Sequence, residues 1–327
     1  MAGMFEGRKG VVRVIDPGAG VGSLSAAFIG AMCRSSPRPE VIALTVYEID
    51  PVLVARLRVT LDLCRGAARE AGIRVDARVT SADFLEIGAG DLFSMEAAER
   101  FDCAILNPPY RKIRTESRER KLLRRIGLET TNLYSGFVAL TAKLLVPGGE
   151  MVAITPRSFC NGPYFEPFRG FFLQNMRFRR IHVFDARDAA FADDRVLQEN
   201  VVFRAQKTTD SCSDVVVSSS SDPKSTRICS RVIEHDELVR PGDPHAFIHI
   251  VPNGDGDRVR RQMRGLEASL ADLGLSVSTG RVVDFRAKEF LLPEPAPDSV
   301  PPVPPDTLPT PVNLLFASAW DAQQESA

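Results

Sequence analysis

Residues 11–33 run from a short β-branched stretch, VVRVID, through the glycine-rich turn PGAGVG into helix-like SLSAAFIGAMC. No other feature constrains the fold as much, because the same order then recurs. VIALTVYEID (41–50) reads as a second strand, and PVLVARLRVTLDLCRGAAREAG as a helix with Pro51 near its start. IRVDARVTSADF (73–84) holds a third strand and FDCAILNPP (101–109) a fourth. LYSGFVALTAKLLVPGG reads as an amphipathic helix ended by Gly148 and Gly149, and EMVAITP, RRIHVFDA and ENVVFRAQ supply three more strands. Seven buried runs separated by helices predict an α/β fold with a doubly wound, mostly parallel sheet. No helix is evident between the last two strands, which predicts an antiparallel strand near the sheet's edge.

The rest of the chain is different. KTTDSCSDVVVSSSSDPKSTRICS is Ser/Thr-rich, so residues 206–256 read as a linker or hairpin after a catalytic domain of 1–205. DRVRRQMRGLEASLADLG (257–274) predicts a helix followed by strand-like SVSTGRVVDFR, within a segment 257–292. Nine prolines between Pro293 and Pro311 make 293–327 an extended or disordered tail. The six scattered cysteines lack metal-ligand spacing and predict reduced thiols, with no bound metal. No apolar run approaches the ~18–20 residues of a membrane span, and MAGMFEGRKGVV lacks the apolar core of a signal peptide. The expected compartment is the cytoplasm. A net charge of −1 excludes a polycation, so any nucleic-acid contact must come from local basic patches.

Four strand ends carry candidate chemistry. In DPGAGVGSL (16–24), Gly18, Gly20 and Gly22 permit positive φ and close approach of a ligand to the backbone. Such a loop alone suits NAD, FAD, a nucleotide or S-adenosylmethionine, or simply a tight packing turn. Glu48 ends the second strand, where an acid commonly holds ribose hydroxyls, although a lone acid there is often merely solvated. Asp83, after the third strand, suits an exocyclic adenine amine or a helix N-cap. Together they fit an adenosine-containing cofactor.

The fourth strand ends on Asn107-Pro108-Pro109-Tyr110. Proline cannot donate to a sheet ladder, so the strand should stop there. A nucleobase amine is a poor nucleophile because its lone pair is delocalised into the ring. The Asn107 side-chain oxygen and the Pro108 carbonyl are two acceptors that would favour a pyramidal, more nucleophilic nitrogen. The prolines would hold both acceptors rigid, and Tyr110 offers a ring for a base to stack on. RKIRTESRERKLLRRIG then places eight basic and two acidic residues in 111–127, either as phosphate contacts or as a solvated basic helix.

With these motifs in hand, residues 11–205 resemble the catalytic domain of S-adenosylmethionine-dependent N6-adenine DNA methyltransferases. The motif order resembles their gamma group. DPGAGVGSL, NLYSGFVALTAKLLVPGG, AITPRSF and VLQENVVF further resemble the modification enzymes of type II restriction–modification systems, of the PstI/BsuBI kind. The resemblance implies a Rossmann-like class I methyltransferase fold with a seven-stranded sheet and an incomplete C-terminal recognition region. It implies S-adenosylmethionine as cofactor, double-stranded DNA as partner, and a cognate restriction endonuclease as functional partner. By the same resemblance, Asp16, Pro17 and the loop of Gly18, Ala19, Gly20 and Gly22 hold the cofactor's methionine part. Glu48 binds the ribose, Ile49 packs on the adenine, and Asp83 binds its amine with Phe84 beside it. Asn107, Pro108, Pro109 and Tyr110 hold the target adenine. Phe191 packs on the flipped base, or is an ordinary core residue. Arg111, Lys112, Arg114 and Arg118 meet DNA phosphates, which would offset the few kcal/mol of base flipping.

The chain departs from that family at both ends. About fifteen residues precede Asp16, with no TP-type motif among them. LGLSVSTGRVVDFRAKEFLL looks like the start of a target-recognition region, but proline-rich sequence follows. Both ends therefore read as truncated relative to the family, and the isolated chain is expected to be much less active than a full-length relative. Two further readings use the same residues: a methyltransferase of RNA or of a protein glutamine, and an inactive remnant that only binds cofactor or DNA.

Overall fold

The computed structural model describes residues 1–93, 99–184, 199–208, 214–221 and 227–251, with scattered residues between 262 and 275. Phe191, nearly all of the segment 257–292 and the tail 293–327 lie outside the described residues. The chain divides into a unit Met1–Asp257 and a unit Arg258–Ala327, and the site lies wholly in the first.

Alternation of strand and helix gives β1 (Val11–Pro17), α1 (Ser23–Arg34), β2 (Val41–Tyr47), α2 (Pro51–Glu70), β3 (Arg74–Thr80), α3 (Phe84–Phe93) and β4 (Phe101–Leu106). Then come α4 (Arg118–Arg125), α5 (Leu133–Leu144), β5 (Leu145–Pro156), α6 (Glu166–Asn175), β6 (Met176–Phe184), β7 (Asn200–Lys207), β8 (Asp214–Ser220), β9 (Cys229–Glu234) and the short α7 (His235–Leu238). The sheet order is β3-β2-β1-β4-β5-β7-β6-β8-β9. β1 to β5 run parallel, and β7 is antiparallel to both of its neighbours.

Two expectations need correction. The described sheet has nine strands rather than seven. The extra pair comes from the Ser/Thr-rich stretch, where the buried Val215 and Val217 alternate with outward residues and give β8 an apolar face. β8 joins β6 in parallel, and β9 pairs antiparallel with β8. The antiparallel strand near the edge is β7, but it is inserted between β5 and β6, and β9 forms the edge. A smaller difference concerns α5, which stops at Leu144 instead of running to the glycines. Pro147 explains this, because it cannot continue a helix and holds Val146 extended.

Strand side chains alternate between two cores, as the pleat requires. Val14, Cys103 and Ile105 face one cluster with Phe28 of α1 and Leu57 of α2. Ile15, Ala104 and Leu106 face the other, with Leu85 of α3, Phe137 of α5 and Phe172 of α6. α2 buries Val54, Leu57, Leu61 and Ala68, one stripe at helical spacing. α5 is not the amphipathic helix expected: it is buried all round except at Lys143, because its small and apolar residues leave no polar face. Each core Phe contributes roughly 1.5–3 kcal/mol by burial.

The fully buried Arg169 of α6 fixes the loop after β5. Its guanidinium donates to the carbonyls of Phe159 (3.1 Å), Gly162 (2.6 Å) and His245 (2.8 Å). Carbonyls satisfy the donors of this buried cation, and they tie residue 245 to the sheet's second core. Among the described residues, no helix is long and apolar enough to cross a membrane.

Candidate active site

The glycine loop leaves β1 at the carboxyl edge of the sheet. Gly18, Gly20 and Gly22 adopt φ of 76°, 57° and 88°, in the left-handed region. The N–H groups of Gly18 and Ala19 both donate to the Tyr47 carbonyl at 2.9 Å, which staples the loop to the end of β2. Gly22 caps α1, and a Cβ there would lie 2.7 Å from Leu57 Cδ1, so it sets the approach of α1 to α2. A Cβ on Gly20 would meet nothing, so the backbone there faces open space. Asp16 lies behind the loop and is fully buried. Ser25 Oγ donates to its Oδ2 at 2.6 Å, while Oδ1 has no hydrogen-bond partner. Burial pushes the Asp16 carboxyl up to about 7, against the opposing Ser25 bonds.

At the end of β2, the buried Glu48 accepts the Gly20 N–H at 2.8 Å through Oε2 and the Asp50 N–H at 2.9 Å through Oε1. Each carboxylate oxygen keeps a further acceptor site. Ile49 beside it is 65% exposed, an apolar side chain offered to the cavity described below. Asp83 does cap α3, with Oδ1 accepting the Leu85 N–H at 2.7 Å. Its Oδ2 accepts no hydrogen bond among the described residues, so capping leaves it free to accept another. Phe84 is buried, with its ring 5.2 Å from that of Tyr47 and 5.1 Å from that of Phe137.

β4 halts at Leu106, one residue before the Asn-Pro-Pro-Tyr run, as the prolines require. Asn107 and Pro109 are exposed, and Pro108 is buried beneath them. The Tyr110 hydroxyl lies 3.0 Å from Asn107 Oδ1 and 3.2 Å from the Ile154 carbonyl. Burial raises the Tyr110 hydroxyl well above its ordinary value, so it remains a donor. Its ring meets Tyr134 edge-on at 6.1 Å, and the Tyr134 hydroxyl lies 3.3 Å from Ser158 Oγ, on the loop that Arg169 holds.

A cavity of about 380 Å³ joins these strand ends. That volume is typical of a small-molecule site, roughly 300–1,000 Å³. Gly18, Glu48, Ile49, Asp83, Phe84, Asn107 and Pro109 line it. Asp16, Pro17, Ala19, Gly20, Gly22, Pro108 and Tyr110 are not among its lining residues. Tyr47, Ala82, Leu133 and Phe137 also line the cavity, although the sequence reading gave them no site role. Apolar and aromatic walls with carboxylate acceptors at Glu48 and Asp83 suit an adenosine-bearing ligand.

Arg111, which the resemblance assigns to DNA phosphates, lines this cavity together with Glu119, to which it is paired at 2.9 Å. Much of the basic run is neutralised locally. Arg118 pairs with Glu86 of α3 at 2.8 Å, Arg120 and Arg124 share Glu129, and Lys121 lies 3.6 Å from Glu116. Lys112 and Arg114 are exposed, and their side chains have no partner among the described residues.

The strand order with its antiparallel β7, and the glycine loop after β1, make the Rossmann-like, doubly wound and mostly parallel α/β fold that the sequence predicts. Residues 64–191 match the family model described as Eco57I restriction-modification methylase. The chain is 43% identical over 301 residues to Type II methyltransferase M.PstI of Providencia stuartii, covering 92% of this chain and 59% of that protein. It is 41% identical over 307 residues to Type II methyltransferase M.BsuBI of Bacillus subtilis, covering 92% and 60%. The chain thus spans about three-fifths of the length of these curated relatives. Among solved structures, the type IIG restriction endonuclease BpuSI superposes with a TM-score of 0.54 at 18% identity, over 77% of this chain and 31% of that one. A type I restriction–modification complex gives 0.54 at 12% identity, over 77% and 58%. These two likenesses concern the fold alone.

Proposed function

We propose that this chain transfers the methyl group of S-adenosylmethionine to N6 of an adenine flipped out of a specific double-stranded DNA sequence. It would be the catalytic part of an adenine-specific DNA-methyltransferase (EC 2.1.1.72), with a cognate restriction endonuclease as functional partner in the cytoplasm. The observation that carries this reading is one cavity walled by Glu48, Asp83 and Asn107, at the carboxyl ends of β2, β3 and β4. The Type II methyltransferase names of its relatives support it.

The cofactor supplies an electrophilic methyl group on a positively charged sulfur. The chain's residues supply the rest. Glu48 keeps acceptor sites for ribose hydroxyls, Asp83 Oδ2 accepts from the adenine amine, and Ile49 and Phe84 flank the ring. The backbone of Gly18–Gly22, backed by Asp16, borders the methionine part. Asn107 Oδ1 has two lone pairs, of which the Tyr110 hydroxyl takes one. The other accepts from the target amine, and the Pro108 carbonyl accepts its second hydrogen. Acceptors fixed before the reaction need no reorganisation during it. The Tyr110 ring and Phe191 are assigned to the flipped base, and Lys112 and Arg114 to phosphates that offset its unstacking. Residues 257–292 are assigned to the start of target recognition.

Incubation with tritiated S-adenosylmethionine and mixed-sequence duplex DNA tests the reading. Label recovered as N6-methyladenine, and lost with Asn107→Ala, is the expected result. Label in RNA or in a protein glutamine, with none in DNA, would overturn it.

A further inference from the structure

Arg111 follows the Asn-Pro-Pro-Tyr run directly, yet it is one of the residues that line the cavity. It is held at both ends. Its carbonyl accepts the Leu133 N–H at 2.7 Å, fixing the main chain to the start of α5. Its Nη2 reaches Glu119 Oε1 at 2.9 Å, fixing the side chain to the first turn of α4. Glu119 is a prepared anchor. Its own backbone amide, the Ser117 hydroxyl and then Arg111 hold its carboxyl below the ordinary carboxylate range. A carboxylate is also favoured at a helix N-terminus. α4 is tied in turn to α3 by Arg118 and Glu86, and α3 starts at Phe84 in the same cavity.

The Arg111 side chain is 66% exposed and that of Glu119 is 23% exposed, which places the pair at the cavity's rim. Among the described lining residues, Arg111 is the sole cation, facing the acids Glu48, Asp83 and Glu119. A guanidinium already spent on a carboxylate is a poor phosphate ligand, because a phosphate must first displace that partner.

We propose that Arg111 serves the cofactor and not the DNA: held by Glu119, it closes the rim of the cavity and slows release of the bound cofactor. The proposal rests on the reading of this cavity as the S-adenosylmethionine site. It separates two neighbouring parts of one basic run. Arg111 faces inward to the cofactor, while Lys112 and Arg114 are left for the phosphates.

The test is binding of S-adenosylhomocysteine to the full chain without DNA, followed by equilibrium and stopped-flow fluorescence. Arg111→Gln and Glu119→Gln are each expected to raise the dissociation rate about five-fold, the scale of one exposed ion pair. The charge-swapped double variant, Arg111→Glu with Glu119→Arg, should recover only part of that loss, because it places a cation at the N-terminus of α4. Arg124→Gln, at a pair on the far end of the same helix, controls for general loosening of α4 and should release ligand at the wild-type rate. For Arg111→Gln, the salt dependence of binding to a mixed-sequence duplex should match wild type. The proposal is overturned if Arg111→Gln releases ligand at the wild-type rate while its DNA salt slope falls by about one, the signature of a lost phosphate contact. It is equally overturned if Arg124→Gln accelerates release as much as Arg111→Gln. If the wild-type chain binds no S-adenosylhomocysteine, the cavity reading itself fails, which is a different result from either.

Discussion

The Tyr110 hydroxyl lies 3.0 Å from Asn107 Oδ1, within donating distance, so the residue proposed to stack on a base also contacts the residue proposed to accept from it. The two tasks are separable by substitution. Tyr110→Phe keeps the ring and loses the hydroxyl, one hydrogen bond worth roughly 0.5–1.5 kcal/mol. The methylation rate should fall about ten-fold or less, with cofactor affinity unchanged. Asn107→Ala removes an acceptor preorganised for the reaction and should cost about 10²–10³ in kcat. Single-turnover labelling of duplex DNA measures both; equal losses would mean that the hydroxyl does more than orient Asn107.

Asp16 makes stability depend on pH. Its folded carboxyl titrates near 7, above the unfolded value of 3.8, because burial penalises the charge. The folded state therefore holds a proton that the unfolded chain releases. The stabilisation is complete below about pH 4 and is lost as pH rises through about 7. Asp16→Asn removes this dependence. Its melting temperature relative to wild type should be higher at pH 8 than at pH 5.5, in buffers of matched ionisation enthalpy. A difference that is the same at both pH values would place the titration elsewhere.

Gly20 and Gly22 should respond differently to alanine. Both have positive φ, which costs a non-glycine residue roughly 1–2 kcal/mol. At Gly22 the new methyl also lies 2.7 Å from Leu57 Cδ1 in the core, whereas at Gly20 it meets nothing. Gly22→Ala should lower the unfolding midpoint in urea by more than Gly20→Ala does. Gly20→Ala should instead act mainly on ligand binding, through the backbone that Glu48 holds. A Gly22 variant as stable as the Gly20 variant would mean that α1 and α2 can shift apart freely.

Much of the site was legible because strand ends are. Proline stops β4 and glycine forces the turn after β1, so Asn107 and Gly18 could be placed at the carboxyl edge from local chemistry alone. Glu48 followed from the length of the β2 run. Phe137 and Leu133 lie in a family-like stretch but were given no site role, because they reach the cavity from α5, a helix and not a strand end. Nor can a run of like charges reveal its partners. Glu86 and Glu129 lie outside the basic stretch, and only the fold brings them to Arg118, Arg120 and Arg124. The hairpin reading of 206–256 agrees with the β8–β9 pair, but the serines hid its joining the sheet beside β6, since Ser218, Ser219 and Ser220 are polar in composition yet buried in place.

Lys112 and Arg114 carry the remaining charge toward solvent. Substituting either with alanine should weaken binding to unrelated duplexes alike and lower the salt slope by about one. Arg118→Ala should change that slope less, because Glu86 already occupies its guanidinium. Fluorescence anisotropy across a salt series reads all three. A larger slope change for Arg118 than for Arg114 would show that DNA displaces Glu86.

The insertion of β7 between β5 and β6 has a consequence for the order in which the molecule is made. A ribosome releases every residue that walls the cavity, Gly18 through Phe137, well before residues 200–207 emerge. Until they do, β5 and β6 cannot be joined, and the inner edge of β5 stands open with unpaired backbone groups. A nascent chain would therefore own the walls of its pocket before its sheet is sealed. A ligand bound at that stage would act on assembly as well as on the finished protein.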